Sequence, residues 1–348
     1  MPSVAVTIPT LFAGNLLEAC LRALSHQTFR DFEVIVIDNG QGDNGQGVSR
    51  IEMDGLEFPV RVLSPGSNIG FGAAVNLGAK ATEARLIVTL NDDTEPEPEW
   101  LEALVRELES DQRIGMCASS IRHFRPHRTD VPLPDRLDSA GMLICLDGSS
   151  KQRGGSQPPS AFASSADVLL PSACAALYRR ELLDEVGFFD EDFFLYCEDT
   201  DLGLRARWAG WRCRYVAAAI VQHHYSSTAR PFSALKAHFV ERNRIWVAIK
   251  NFPLILLPAV PFAALLRYAW QLRAVWQKRG AAGEFVTSGV PLQKAGIIVL
   301  RAWLETLIHL PALLRKRALG RGRRKIGSME FIRLLYSHRI TTKELAFS

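Results

Sequence analysis

Four short apolar runs near the N-terminus set the terms for everything this chain can become. Val4–Ile8, Phe32–Asp38, Val60–Leu63 and Arg85–Leu90 are rich in β-branched residues and read as strands. Between the first two, Leu16, Leu17, Cys20, Leu21 and Leu24 recur at helical spacing as far as His26. Strands that are almost wholly apolar, alternating with helices, belong in a parallel sheet covered on both faces. Such a sheet holds its ligands at the carboxyl ends of its strands. The expected fold class is α/β: a Rossmann-like, mostly parallel sheet with helices on both faces.

The residues at those strand ends are polar. Asp38, Asn39 and Gly40 follow the second strand. Asp38 suits an Asx-turn leading into the polar loop 40–47, and equally a carboxylate that accepts hydrogen bonds from a base or ribose. After the third strand come Asn68, Gly70, Gly72, Asn76 and Gly78. Small residues there let a helix approach another surface closely, and Gly70 and Gly72 offer backbone N–H groups to a phosphate. The glycine spacing and the missing lysine exclude a dinucleotide fingerprint and a P-loop.

The fourth strand delivers Asn91, Asp92, Asp93 and Thr94, before Pro96 and Pro98 break the chain ahead of an amphipathic helix, Glu99–Leu108. Adjacent carboxylates repel unless a cation or hydrogen bonds compensate. A hard divalent cation shared with a nucleotide diphosphate is the economical explanation, and an N-cap with a turn is the plain one.

Arg122–Gln157 is polar, with several Pro and Gly residues around one β-like run, Met142–Leu146, and reads as an excursion from the sheet. Val168–Tyr178 is apolar again, with small side chains at 172–176. Gly187–Gly210 then interleaves aromatics with acids. A helix is expected from about Asp199 to Ala209, closed by Gly210 in the left-handed conformation. Glu198, Asp199 and Asp201 sit at its start. One acid would serve as a cap. Three of them beside Phe193, Phe194 and Tyr196 indicate carboxylates in a partly desolvated cleft, where a general base is tuned. A last strand, Tyr215–Val221, leads to His223 and His224, a pair able to ligate metal or touch phosphate.

Together these residues resemble an inverting family-2 glycosyltransferase of the GT-A fold, close to a bacterial rhamnosyltransferase-like branch, over Val4 to about Pro253. Val34–Asn39 with Asp43 is similar to the family's V-D-N-x-S-x-D loop. Asn68–Gly78 is similar to N-x-G-F-x-x-x-x-N-x-G, Leu90–Thr94 to L-N-P-D-T, and Asp138–Gly141 to D-x-x-G. Gly187–Gly210 is similar to G-F-D-E-x-F-F-x-Y-x-E-D-x-D-L-x-x-R-x-x-x-G. Arg242–Arg244 and Lys250–Pro253 match the R-N-R and K-N-F that follow. The resemblance implies a donor site made by Thr10, Asp38, Asn39, Asn68, Gly70, Asn76, Asn91 and Asp92. It implies Mg²⁺ or Mn²⁺ held by Asp93 and His223, and Asp199 as the base with Glu198 beside it. Two positions depart from the pattern: Gln41 stands where the nucleotide loop has Ser, and Asp92 where the metal motif has Pro. The second leaves the first metal ligand open between Asp92 and Asp93.

Charge divides the chain. Residues 231–348 carry 20 Lys and Arg against 5 Asp and Glu, whereas residues 1–230 carry 21 against 32. The expected domains are a catalytic one at 1–230 and a basic, amphipathic, helical one at 231–348. In the latter, Phe252–Leu266 is apolar but holds three prolines and falls short of a spanning helix. Tyr268, Trp270, Trp276 and Trp303 lie among apolar residues, and the polybasic run 315–325 follows. Such a segment suits an anionic membrane surface, and it also suits a bundle packed on the catalytic domain or on a second subunit in a homo-oligomer. No nucleic-acid partner is expected, because no recognition motif accompanies the basic run.

The six cysteines show no paired or ligand spacing, and the N-terminus has no signal-peptide pattern. Both point to the cytoplasm; with the basic tail and the resemblance, the expected location is the cytoplasmic face of a bacterial membrane, with peripheral attachment. The expected reaction moves a sugar, rhamnose from dTDP-rhamnose, onto a lipid-linked saccharide. The alternatives are a UDP-linked galactofuranose or N-acetylhexosamine donor, or a scaffold of the same fold without catalysis. A nucleotidyltransferase would want a Gly-rich, Lys-bearing loop after the first strand, and 9–15 has none.

Overall fold

The computed structural model describes residues 2–12, 14–40, 55–124, 135–224, 234–277, 279–280 and 292–347. Gln41, Asp43, the end of the His223–Ser227 run and the expected domain boundary near 230 lie outside them. The chain divides into two compact units. The first comprises 1–142, 152–194 and 211–228, and the second 143–151, 195–210 and 229–348.

The first unit is built on one large sheet. Its strands are β1 (Val4–Thr10), β2 (Phe32–Asp38), β3 (Val60–Leu63), β4 (Leu86–Leu90), β5 (Thr94–Pro96), β6 (Ile114–His123) and β7 (Leu137–Ser139), joined later by β10 (Ala166–Val168), β11 (Ala175–Arg179) and β12 (Arg212–His223). β8 (Met142–Ile144) and β9 (Ser150–Gln152) form a separate two-stranded sheet. In the large sheet the order is β10-β12-β6-β11-β4-β1-β2-β3, with β5 beside β12 and β7 beside β6. β4, β1, β2 and β3 run parallel, and the first three carry the apolar sequences expected of parallel strands covered on both faces. β11 runs against both β4 and β6, which makes the sheet mixed.

Side-chain alternation sorts the two faces. Val4, Val6, Ile8, Val34, Val36 and Val88 point into a core shared with α1 (Asn15–Ser25) and α3 (Trp100–Glu109). The opposite face takes α2 (Phe71–Lys80). There a Cβ at Gly78 would come within 2.8 Å of Thr7 and 3.0 Å of Ile37, so only glycine lets this helix lie so close. The short helix α4 (Arg180–Val186) follows β11 directly.

The second unit is helical. It contains α5 (Glu198–Trp208), α6 (Ala234–Asn251), α7 (Ala259–Trp276) and helices at Leu292–Arg321, Ser328–Ser337 and Thr342–Phe347. Helix α5 starts one residue earlier than expected, and Gly210 beyond it has φ +84°, the left-handed stop anticipated for it. The Trp246 indole on α6 donates to Thr306 at 3.1 Å, and Trp208 stacks on Phe331 with ring centroids 3.9 Å apart. The residue-328 helix leads to Ile340, whose N–H donates to the Ile144 carbonyl. A buried ionic cluster ties α6 and α7 to the β8–β9 turn: Asp147 accepts from Arg244 and Arg267, and Glu241 bonds the same two arginines and Tyr268. The arginines hold Glu241 down at about 2 against the opposing effect of burial.

Candidate active site

The first unit gathers most of the expected donor residues at the carboxyl ends of β1, β2 and β4. Thr10 and Asp38 are register partners in the last rung of β1 and β2. The Gly40 N–H approaches an Asp38 carboxylate oxygen at 3.4 Å, the geometry of an Asx-turn. Asn39 is buried. Its amide donates to Asn68 Oδ1 and to the Gly70 carbonyl at 3.2 and 3.3 Å, and its Oδ1 accepts from the Ile69 N–H.

Asn68 Oδ1 also takes the Gly70 N–H at 2.9 Å. The backbone donor that Gly70 offered to a phosphate is therefore engaged by Asn68. Gly70 has φ +86°, and a Cβ there would run into the Phe194 carbonyl oxygen, which accepts from the Phe71 N–H. Asn76 lies further along α2. Its amide donates to the Phe189 carbonyl and to Glu191, and its Oδ1 accepts from the Phe189 N–H. It braces the turn that carries the acidic stretch.

Asn91, Asp92 and Asp93 follow β4. Asn91 Oδ1 is buried without a hydrogen-bond partner. Burial pushes the Asp92 carboxyl up to about 6; the neighbouring Asp93 charge adds to this, and the Thr10 hydroxyl works against it. Asp93 is buried, with Oδ1 3.3 Å from His223 Nε2. The pair meets because β5 doubles back to pair with β12, setting Thr94 opposite His223. The other ring nitrogen of His223, Nδ1, lies 2.8 Å from Asp138 Oδ2. Burial opposes a charged imidazole here, but Cys174 and the two carboxylates outweigh it and hold the ring's pKa above its ordinary value. His224 turns elsewhere, to Glu95 at 2.7 Å and onto the Phe124 ring.

These residues fit a divalent cation of the kind the resemblance implies. Among the described residues no three His, Cys, Asp or Glu side chains converge as a complete cage. The reason is geometric: His223 presents its two nitrogens to carboxylates on opposite edges of the ring. What remains is a hard oxygen set, Asp92 and Asp93 with the unpartnered Asn91 oxygen, joined by one imidazole. A Mg²⁺-like ion bound by one or two carboxylates and completed by phosphate oxygens needs no more.

The second unit carries the expected catalytic pair. Glu198 is buried, its Oε2 has no hydrogen-bond partner among the described residues, and burial with the adjacent Asp199 charge pushes its carboxyl up to about 8. Asp199 Oδ1 accepts from the Thr200 N–H at 2.6 Å. The Thr200 hydroxyl bonds to Ser150 on β9. Asp201, singled out with them, has a different task. It is fully buried between Lys250 and Arg205, each at 2.8 Å, and despite burial they hold it far below the carboxylate range.

Asp138 was visible in the sequence only as part of a D-x-x-G match, and no signal in that match pointed to His223. Asn243, in the middle of the Arg242–Arg244 match, was likewise given no role. It donates both amide hydrogens to the carbonyls of Leu195 and Tyr196, at 2.8 and 2.7 Å.

Comparison with known proteins gives a consistent answer. Residues 5–187 match the model of glycosyl transferase family 2, and 160–315 match glycosyl transferase family group 2. An N-acetylglucosaminyl-diphospho-decaprenol L-rhamnosyltransferase of Mycobacterium tuberculosis is 33% identical over 262 residues, covering 68% of this chain and 81% of that protein. Among solved structures, GalNAc-T7 with UDP, GalNAc and Mn²⁺ superposes with a TM-score of 0.61 at 14% identity. That match covers 77% of this chain, which spans about half (51%) of the GalNAc-T7 chain. A mannosyltransferase of Pyrobaculum calidifontis, in complex with GDP-Man and Mn²⁺, gives 0.53 at 17% identity over 91% of this chain and 86% of that one.

Proposed function

Since the chain belongs to glycosyl transferase family 2, we propose that it is an inverting, metal-dependent enzyme that transfers rhamnose from a dTDP-linked donor to a lipid-linked saccharide. The observation that carries this reading is the 33% identity with an enzyme named for rhamnosyl transfer to N-acetylglucosaminyl-diphospho-decaprenol. The strand-end cluster Asn91–Asp93 with His223 supports the metal, as does the presence of Mn²⁺ together with a nucleotide or nucleotide sugar in two structures of the same fold.

In the proposed reaction Asp199 takes the proton of the acceptor hydroxyl. The oxygen then bonds to the anomeric carbon as the bond from that carbon to the diphosphate breaks. The nucleoside diphosphate leaves with the electron pair, so the anomeric configuration inverts. Glu198, neutral up to about pH 8, adds no second charge beside the base. Asp38 and Asn39, on the rung shared with Thr10, hold the nucleoside. A divalent ion held by Asp93 and His223, with Asp92 beside them, would supply positive charge to the departing diphosphate. Asp138 keeps the His223 ring turned so that Nε2 faces Asp93. This arrangement differs from a glycosidase, which flanks its bond with two carboxyl groups and uses no metal.

The test is calorimetric titration with dTDP, UDP and GDP, each with Mn²⁺ and with EDTA. Metal-dependent binding of dTDP alone is expected. Selective binding of UDP would move the donor to a galactofuranose or N-acetylhexosamine nucleotide. No binding by the folded protein would overturn the proposal. Replacing Asp199 by Asn should abolish transfer to a lipid-linked N-acetylglucosamine acceptor and leave the nucleotide isotherm intact; undiminished transfer would remove Asp199 from the role of base.

A further inference from the structure

The backbone ahead of Glu198 is held in a conformation that L-residues avoid. Four non-glycine residues among those described have positive φ, and three fall here: Phe194 at +62°, Tyr196 at +68° and Cys197 at +66°. Side-chain crowding disfavours this region for such residues, so the surrounding structure must hold them there. Cys197 is the N-cap of α5 and makes no side-chain cap bond. No side-chain cap bond at Cys197 therefore holds the turn that leads into Glu198 and Asp199.

The hold comes from α6. Asn243 is fully buried, and its two amide hydrogens reach the consecutive carbonyls of Leu195 and Tyr196 at 2.8 and 2.7 Å. Its orientation is set from the other side, because Arg242 Nε donates to Asn243 Oδ1 at 2.9 Å and a flipped amide would lose all three bonds. The helix beneath it is fixed as well. Arg244, one residue on, is fully buried against Asp147 and Glu241, and Trp246 is bonded to Thr306. A donor pair fixed on both sides thus meets the two carbonyls of a turn in which Tyr196 and Cys197 have positive φ.

We propose that Asn243 is a positioning residue for the Glu198–Asp199 pair: its amide locks the left-handed turn at Leu195–Cys197 and so sets the direction in which the two carboxylates leave the first turn of α5. This rests on the reading of Asp199 as the base. A structural brace would change stability alone. A positioning residue also changes the chemical step and the proton affinity of the pair, and leaves donor binding untouched.

The experiment uses the full-length enzyme with Asn243→Asp, which keeps the shape and removes both donors, and Asn243→Ser, which keeps one. Three quantities are read: hydrogen–deuterium exchange of the backbone amides at 197–202, the split of kcat from donor KM, and the pH profile of kcat. For Asn243→Asp, exchange should quicken about tenfold, as the loss of ordinary hydrogen bonds would allow. Its kcat should fall about tenfold to a hundredfold, with donor KM unchanged and the pH limbs displaced. Asn243→Ser should fall between the two and carries the test if the Asp variant does not fold. Unchanged exchange would overturn the lock. Quickened exchange with kcat and the pH profile intact would overturn the positioning role. An inactive wild-type enzyme that still binds nucleotide would sink the reading of Asp199 as base, and the exchange rates would still decide whether the lock exists.

Discussion

Glu198 sits in an environment that its charged side chain does not prefer. In the unfolded chain it ionises near 4.5; in the folded chain burial and the Asp199 charge keep its proton on until about pH 8. The folded state must therefore hold a proton that the unfolded state has already released. Stability falls as pH rises from about 4.5 to about 8 and is level above. Glu198→Gln removes that dependence. The variant should match the wild type at pH 4 and exceed it at pH 8.5 by an amount on the order of several kcal/mol, at about 1.4 kcal/mol per pKa unit. Urea denaturation at the two pH values measures it, and an unchanged difference would mean that Glu198 ionises normally. Asp201, three residues on, shows the opposite solution to the same burial: Lys250 and Arg205 compensate its charge fully. Two buried acids in one helical turn thus differ because Asp201 has cations beside it and Glu198, among the described residues, has none within bonding distance.

Among elements, the turn into α2 is tightly constrained. Gly70→Ala must accommodate both φ +86° and a Cβ against the Phe194 carbonyl. It should lower stability by about 1–3 kcal/mol and weaken nucleotide binding, because Asn39 and Asn68 are bonded to that glycine's backbone. A melting temperature equal to that of the wild type would refute this. How legible each element was follows from how its burial is achieved. β1, β2 and β4 lie in the sheet interior and carry continuous apolar runs, so sequence alone reveals them. β6 is as central and was not foreseen. Its buried run includes Gly115, Ala118, Ser119 and Ser120, small residues that fit between β11 and β12 without an apolar signature. β5 is three residues long and contains a proline, tolerable because it pairs only with β12. Sequence reads it as a break, yet it brings Asp93 to His223. The acids themselves were legible because like charges crowd along a few residues. Asp138, which meets His223, and Asn243, which meets the Leu195 and Tyr196 carbonyls, were not, because each meets its target from a distant part of the chain.

At the scale of the whole molecule, the C-terminal helices leave much apolar surface open. Ile297, Leu300, Leu304, Leu307 and Ile308 recur at helical spacing and are all exposed, as are Phe262, Leu265 and Trp276 on α7. The helix at 293–321 is also long and apolar enough to cross a membrane by length and composition, with 17% of its most apolar window buried. Beside this surface run Arg315, Lys316, Arg321, Arg323 and Arg324. Peripheral binding to an anionic bilayer predicts co-sedimentation with phosphatidylglycerol vesicles and not with phosphatidylcholine ones. Binding should weaken at high salt and be lost when Phe262, Trp276 and Ile308 become Ser. Binding indifferent to salt and lipid charge would favour insertion of the 293–321 helix instead.

The order in which the two units are written along the chain carries one more consequence. Residues 143–151 and 195–210 belong to the second unit but are translated inside the first. As the chain leaves the ribosome, Asp147 and Asp201 emerge well before Arg244, Lys250 and Arg267, the cations from α6 and α7 that pair with them. These two buried carboxylates therefore acquire their full set of counter-charges only once α6 and α7 have been synthesised.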